Sequence, residues 1–178
     1  MNALLILLLL SCGTERWSVK TLTDRNSINF RDTVKTTIAI QTHLPYVSPS
    51  YTEPRLESED TLYECSVLVV GYKIEADNDI HFVCRDLNTD DELIAEIPDP
   101  ECDEVKGSVH AQEFSDARTA FIAAIGKPGK KYRIIEPIQA TIYAVGSYDH
   151  YHRQTGAAPN CRELHPVTGF VCNGKHQK

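Results

Sequence analysis

Leu62 to Glu75, LYECSVLVVGYKIE, is a long β-rich run with one glycine near its middle, and it restricts the fold more than any other stretch. Gly71 is the residue that a bulge, or a tight bend at a barrel corner, requires. Asp77-Asn78-Asp79 supplies a turn. The next run alternates, with Ile80, Phe82 and Cys84 opposite His81, Val83 and Arg85. Thr89-Asp90-Asp91 turns again, and ELIAEIP forms a third strand that Pro98 stops. Three successive strands of this kind form a meander.

One helix interrupts the strands. Phe114, Ala117, Phe121 and Ala124/Ile125 recur at helical spacing, which predicts a helix over 113–125. Ser108 or Ser115 offers a cap, and Gly126 with Pro128 ends the helix. EPIQATIYAVGSYD and ELHPVTGFV then resume the strand pattern. The order β-β-β-α-β-β predicts a mainly β chain: an OB-like five-stranded barrel over 61–172, with one helix and an N-terminal arm. Such barrels bind ligands on strands two and three, between the first-second and fourth-fifth loops. Here those loops are Ala76–Asp79 and Ser147–Arg162. The fold alone names no activity.

Ahead of the barrel, 1–11 reads as an export signal segment, too short to span a bilayer and without Lys or Arg before its apolar run. Leu9-Leu10-Ser11-Cys12 is similar to a bacterial lipobox, so Cys12 either carries lipid or enters a disulfide. An arm or linker fills 12–60. Pro45, Pro49 and Pro54 predict a surface wrap without regular structure near its end, and Trp17–Val19 and Thr37–Ile40 are expected as short strands. A tail occupies 173–178. The six cysteines, at 12, 65, 84, 102, 161 and 172, include no C-x-x-C spacing, which in an exported chain favours disulfides over zinc. Cys161 and Cys172 flank a short strand, and linking them would stabilise by roughly 3 kcal/mol. A lipid on Cys12 would leave an odd thiol.

The densest polar stretch is Asp149 to Val167, DHYHRQTGAAPNCRELHPV. His150 and His152 precede a turn, and Glu163 and His165 follow it. Residues two apart on an extended chain share a face. The expected ligand-binding residues are therefore Asp149, His152, Gln154, Thr155, Asn160, Glu163 and His165. His152, Glu163 and His165, with His150 as a possible fourth, form a zinc-type ligand set. The bland alternative is that His165 packs ahead of Pro166 and is held by hydrogen bonds. Asp149 or Glu163 can orient a histidine for acid-base work, but no nucleophile signature is present, and Thr155 is the only hydroxyl in the motif. Calcium is the other cofactor considered, on Asp77/Asp79, Asp90–Glu92 or Asp99–Glu104, although none has EF-hand spacing. Tyr148 and Tyr151 flank the loop and are placed to stack a ligand ring.

Several segments resemble a family of uncharacterised exported bacterial proteins with an opening CGTERW-x-VK-x-x-TD and a closing H-x-QTG-x-APN-x-x-ELHPV. Here these are Cys12 to Lys20 with Thr23-Asp24, and His152 to Val167. Arg55, Glu59, Tyr63, the segment Gly71 to His81 and the segment Ile94 to Cys102 match as well. The resemblance implies a Cys12–Cys102 disulfide tying the arm to the barrel, which weakens the lipobox reading. It implies no activity. Arg153 and Cys161 stand where the family has glycines, so the backbone of the loop is open to change and a Cys161–Cys172 bridge would be peculiar to this chain.

A net charge of −7 argues against a nucleic-acid partner, because such binding relies on Lys and Arg displacing counterions. The expectation is an exported, secreted or periplasmic module that binds a small molecule or an envelope protein without catalysis. It would touch a membrane only through a lipid on Cys12. The alternative is a metal-assisted hydrolase using the 149–167 loop, for example a thermonuclease-like phosphodiesterase with Arg85, Asp86 and Arg118, whose spacing departs from that family's pattern.

Overall fold

The computed structural model describes residues 12–13, 15–24 and 32–175. The expected signal segment and the end of the tail, 176–178, lie outside the described residues. The elements are α1 (Trp17–Lys20), β1 (Val34–Thr36), α2 (Ile38–Thr42), a 3-10 turn (Glu57–Glu59), β2 (Leu62–Ile74), β3 (Ile80–Arg85), β4 (Glu92–Ile97), α3 (Asp103–Lys106), α4 (Ala111–Ile125), β5 (Arg133–Tyr148) and β6 (Arg162–Lys175). The chain is mostly β. Its strands form one mixed sheet of six, in the order β1-β2-β3-β4-β6-β5, with β2 also paired to β5. A ring of hydrogen bonds thus runs through five strands.

β2 makes the ring possible because it pairs on both edges, with β3 on one and β5 on the other. Both registers shift between Val69 and Gly71, where the glycine was expected to allow a bulge or a tight bend. A side chain at Gly71 would also collide with the Tyr132 hydroxyl. The ring closes where β4 meets β6 in parallel, at Ala95 opposite Leu164. Alternation then sorts the side chains. Ile80, Phe82, Cys84, Leu93, Ala95, Ile97, Leu164 and Val167 enter the main core, while His81, Glu96 and His165 are left to the other face.

α4 seals the core with Ala117 and Phe121. The Phe121 ring lies 5.0 Å from Phe82, 5.2 Å from Phe170 and 5.6 Å from Tyr72. Neither Ser108 nor Ser115 caps this helix. His110 occupies the cap position, and Ser108 Oγ accepts its backbone N–H.

The arm departs from expectation at several points. The sixth strand, Val34–Thr36, runs parallel to β2, so the five-strand count was one short. Thr37–Ile40 is not extended, because the Thr37 hydroxyl accepts the Ile40 N–H and starts α2. Trp17–Val19 is likewise a helical turn. The proline stretch does more than wrap the surface, since Arg55 and Glu59 are buried. Cys12 is bonded to Cys102, whereas Cys65, Cys84, Cys161 and Cys172 are free thiols. A Cys161–Cys172 bridge is ruled out by β6 itself. Cys161 precedes that strand and Cys172 lies near its far end, so at about 3.3 Å per residue the two are far beyond the roughly 7 Å a disulfide allows.

Candidate functional site

An open cleft of about 370 Å³ lies on the outer side of β3, β4 and β6. One wall is the arm, with Cys12, Gly13, Trp17 and Lys20. The β2–β3 loop, with Glu75, Ala76 and Asp77, and the β5–β6 loop, with Asp149, His150, His152 and Gln154, form the others. Glu96 and Glu163 contribute from the sheet. The two loops expected to border a ligand face therefore do flank one cleft. The disulfide and the arm, which loop position alone did not indicate, complete it.

Behind the cleft, carboxylates and imidazoles interlock. His81 Nδ1 lies 2.9 Å from Glu96 Oε1 and 3.2 Å from Glu75 Oε1. Strand register sets the first contact, because His81 and Glu96 are direct cross-strand partners. His165 Nδ1 faces Glu96 Oε2 at 3.1 Å, and its Nε2 faces Asp79 Oδ2 at 3.4 Å. Burial alone would lower the pKa of His165, but Asp79 and Glu96 outweigh it and push it up to about 10. Burial would likewise raise Glu96, yet His165 and His81 hold it well below the usual carboxylate range. Asp79 is pushed up to about 6, by burial first and against the pull of His165.

At the front of the cleft, His152 Nε2 lies 3.3 Å from Glu163 Oε1 and 3.6 Å from Asp149 Oδ2. Lys20 Nζ donates to Asp149 Oδ2 at 3.3 Å. Burial disfavours the Lys20 charge, but Asp149, Glu163 and Glu96 more than restore it and raise its pKa. Burial also would raise Asp149, yet His152 and Lys20 keep it ionised far below its ordinary range. Glu163 is raised, mainly because burial penalises its charge.

The expected set thus divides. Asp149, His152, Gln154 and Glu163 share the cleft. His165 lies apart from them, its ring nitrogens facing Glu96 and Asp79, so the expected His152–Glu163–His165 set falls into two groups, Asp149 with His152 and Glu163, and Asp79 with Glu96 and His165. Asn160 is a structural pin, its amide donating to the Gln41 and Leu44 carbonyls at 2.9 and 3.0 Å. Thr155 is exposed away from the cleft. Tyr148 is buried beneath the Arg162 guanidinium, 4.6 Å from its ring centroid, and stacks that cation instead of a ligand. Gly146 makes room for the same guanidinium, which a side chain there would overlap. Cys161 keeps the backbone that a glycine would have, at φ 62°, so the loop turns despite the departure.

The other sequence candidates disperse. Arg85 pairs with Glu92, Asp86 accepts the Ala39 N–H, and Arg118 donates to the Asn78 carbonyl. No phosphate clamp results from them. Among the described residues, none of the close ligand triads comes from Asp90–Glu92. No helix among the described residues is long and apolar enough to cross a membrane. Comparison with protein-family models, curated proteins and solved structures yields no match for this chain.

The buried His81 gives the site a measurable pH dependence. Burial opposes its charge, but Glu75, itself paired with Lys73, and Glu96 push it up to about 9 from an ordinary 6.5. The stabilisation is complete below the ordinary value and is lost as the pH rises through the folded value. His81's share of the unfolding free energy should therefore fall by roughly 3 kcal/mol between pH 6.5 and about 9.5. Urea titrations across that range check it. His81→Gln should remove that share and leave a steep slope from His165 and His152, both pushed up to about 10.

Proposed function

We propose that this chain is an exported OB-type barrel that acts as a binding module, with the cleft on β3 and β4 receiving a positively charged ligand. One observation carries the reading: among the described residues, Glu15, Glu75, Asp77, Glu96, Asp149 and Glu163 line the cleft against Lys20 and His152, the latter pushed up to about 10 by Asp149 and Glu163. Low-dielectric walls focus the field of such a set and concentrate cations within it. The sheet ring, with its strand order and bulge, supports the OB assignment. The Cys12–Cys102 disulfide is consistent with an extracellular or periplasmic location and, by occupying Cys12, favours a secreted chain over a lipid anchor.

Among the described residues, no hydroxyl or free thiol lines the cleft, so binding is favoured over covalent catalysis. Hexaamminecobalt(III), an inert trication with no exchangeable coordination position, is a suitable probe. It should bind saturably at low ionic strength, shift the amide resonances of Gly13, Ala76 and Gln154, and weaken as salt is added. Glu75→Gln with Asp77→Asn should weaken it several-fold. Binding elsewhere, or none at low salt, would overturn the reading.

A further inference from the structure

One corner of the cleft is built for more than general attraction. Asp149, His152 and Glu163 each offer a ligand atom, all within 4.8 Å of one another. The two His152 Nε2 separations, 3.3 Å to Glu163 Oε1 and 3.6 Å to Asp149 Oδ2, are long for charged hydrogen bonds, which run at about 2.7–2.9 Å. His81 and Glu96 show the short kind, at 2.9 Å. Two atoms on a tetrahedral zinc with bonds of about 2.0–2.2 Å lie roughly 3.4 Å apart, and the observed pair brackets that edge. The corner is spaced for an ion.

A second observation is independent of that spacing. The Glu163 side chain is only 5% exposed, lines the cleft, and leaves Oε2 without a hydrogen-bond partner. A buried carboxylate oxygen left in this way is costly, and a cation would satisfy it.

We propose that Asp149, His152 and Glu163 bind a divalent transition metal of the zinc type, with a further coordination position open to the cleft. The proposal rests on the acidic-cleft reading and narrows it. One imidazole with two carboxylates suits zinc better than calcium, which takes six to eight oxygens. Metal at Nε2 displaces the proton there into solvent and leaves the remaining ring proton on Nδ1. Lys20, on the same Asp149 oxygen, opposes the incoming charge, and Lys20→Met should tighten the metal.

Zinc chloride titrated into the full, oxidised chain tests this by calorimetry and metal analysis. The expected result is about one zinc per chain, weakened at least tenfold by His152→Gln and far less by His150→Gln. Long-range proton–nitrogen spectra should show His152 losing its Nε2 proton while Nδ1–H remains. His152 is on a partly exposed loop, so its variant should fold even if Glu163→Gln does not. If hexaamminecobalt(III) binds while zinc does not, or zinc ignores His152→Gln, coordination is overturned and the acidic cleft stands. If neither cation binds, both readings fall. Zinc lost with His150→Gln and kept with His152→Gln would assign the ion to Glu15, Asp149 and His150 instead and overturn the proposal.

Discussion

Replacing Glu59 with alanine should destabilise the protein by about 3–5 kcal/mol, the usual loss when one partner of a buried ion pair is removed. The side chains of Arg16 and Glu59 are 3% and 0% exposed. Arg16 Nη1 donates to Glu59 Oε1 at 2.8 Å, and Nη2 to Oε2 at 2.5 Å. The guanidinium also donates to the carbonyls of Tyr148, Glu53 and Pro54, while Glu59 accepts the N–H groups of Tyr148 and Leu56. Removing the carboxylate strands a guanidinium that carbonyl dipoles alone cannot compensate. It also leaves the Tyr148 N–H without its acceptor, immediately ahead of Asp149. Affinity for the cobalt probe should fall together with stability. Glu59→Gln keeps the shape and some of the bonds, so it should lose less. Urea midpoints measure both variants, and a loss below about 1 kcal/mol for Glu59→Ala would mean that water reaches Arg16 and that the clamp is not closed.

That clamp also shows where sequence reading stops. Hydrophobic alternation, Gly71 and the helical spacing of Phe114, Ala117 and Phe121 are local signals, and each reappears in the structure at its expected place. Long-range polar pairs leave no such trace. Arg16 and Glu59 are 43 positions apart, and nothing in either neighbourhood indicates that the two bury together. Arg55 is similar: it reaches back to Asp24 and to the Val19 carbonyl. For the site, the 149–167 stretch was legible because its polar groups are neighbours in the chain. Lys20, Glu75 and Glu96 were missed because three separate elements deliver them. One missed contact was nonetheless within reach. Folding IHFVCR onto ELIAEI through the Asp86–Asp91 turn puts His81 opposite Glu96, as it puts Arg85 opposite Glu92. His165 stands with a different set for a related reason. Chain proximity to Glu163 suggested a shared ligand role, but the partners that capture its ring, Asp79 and Glu96, come from elsewhere.

The second large effect should follow from Cys12→Ser combined with Cys102→Ser, which leaves no lone thiol behind. The bond spans 90 positions, and on the chain-entropy account a loop of that size is worth about 4–5 kcal/mol through the unfolded state. Thermal and urea midpoints should drop accordingly, and reduction of the native chain should reproduce the loss. The folded state should respond more locally. Arg16 on Glu59 and Arg55 on Asp24 still hold the arm beyond Cys12, so residues 15–24 should stay docked, while Cys12 and Gly13, which form the edge of the cleft, gain freedom. Cation affinity should therefore weaken only several-fold in the serine pair, and the amide protection of Val19 and Lys20 should persist up to the lowered global stability. Glu59→Ala added to the serine pair removes the second tether. Because either tether alone can seat the arm, their joint loss should weaken cation binding by more than the product of the separate losses, the non-additivity expected of groups that hold one segment. If the separate effects simply multiply, the arm is not a shared wall of the cleft, and Lys20 must be placed by α1 alone.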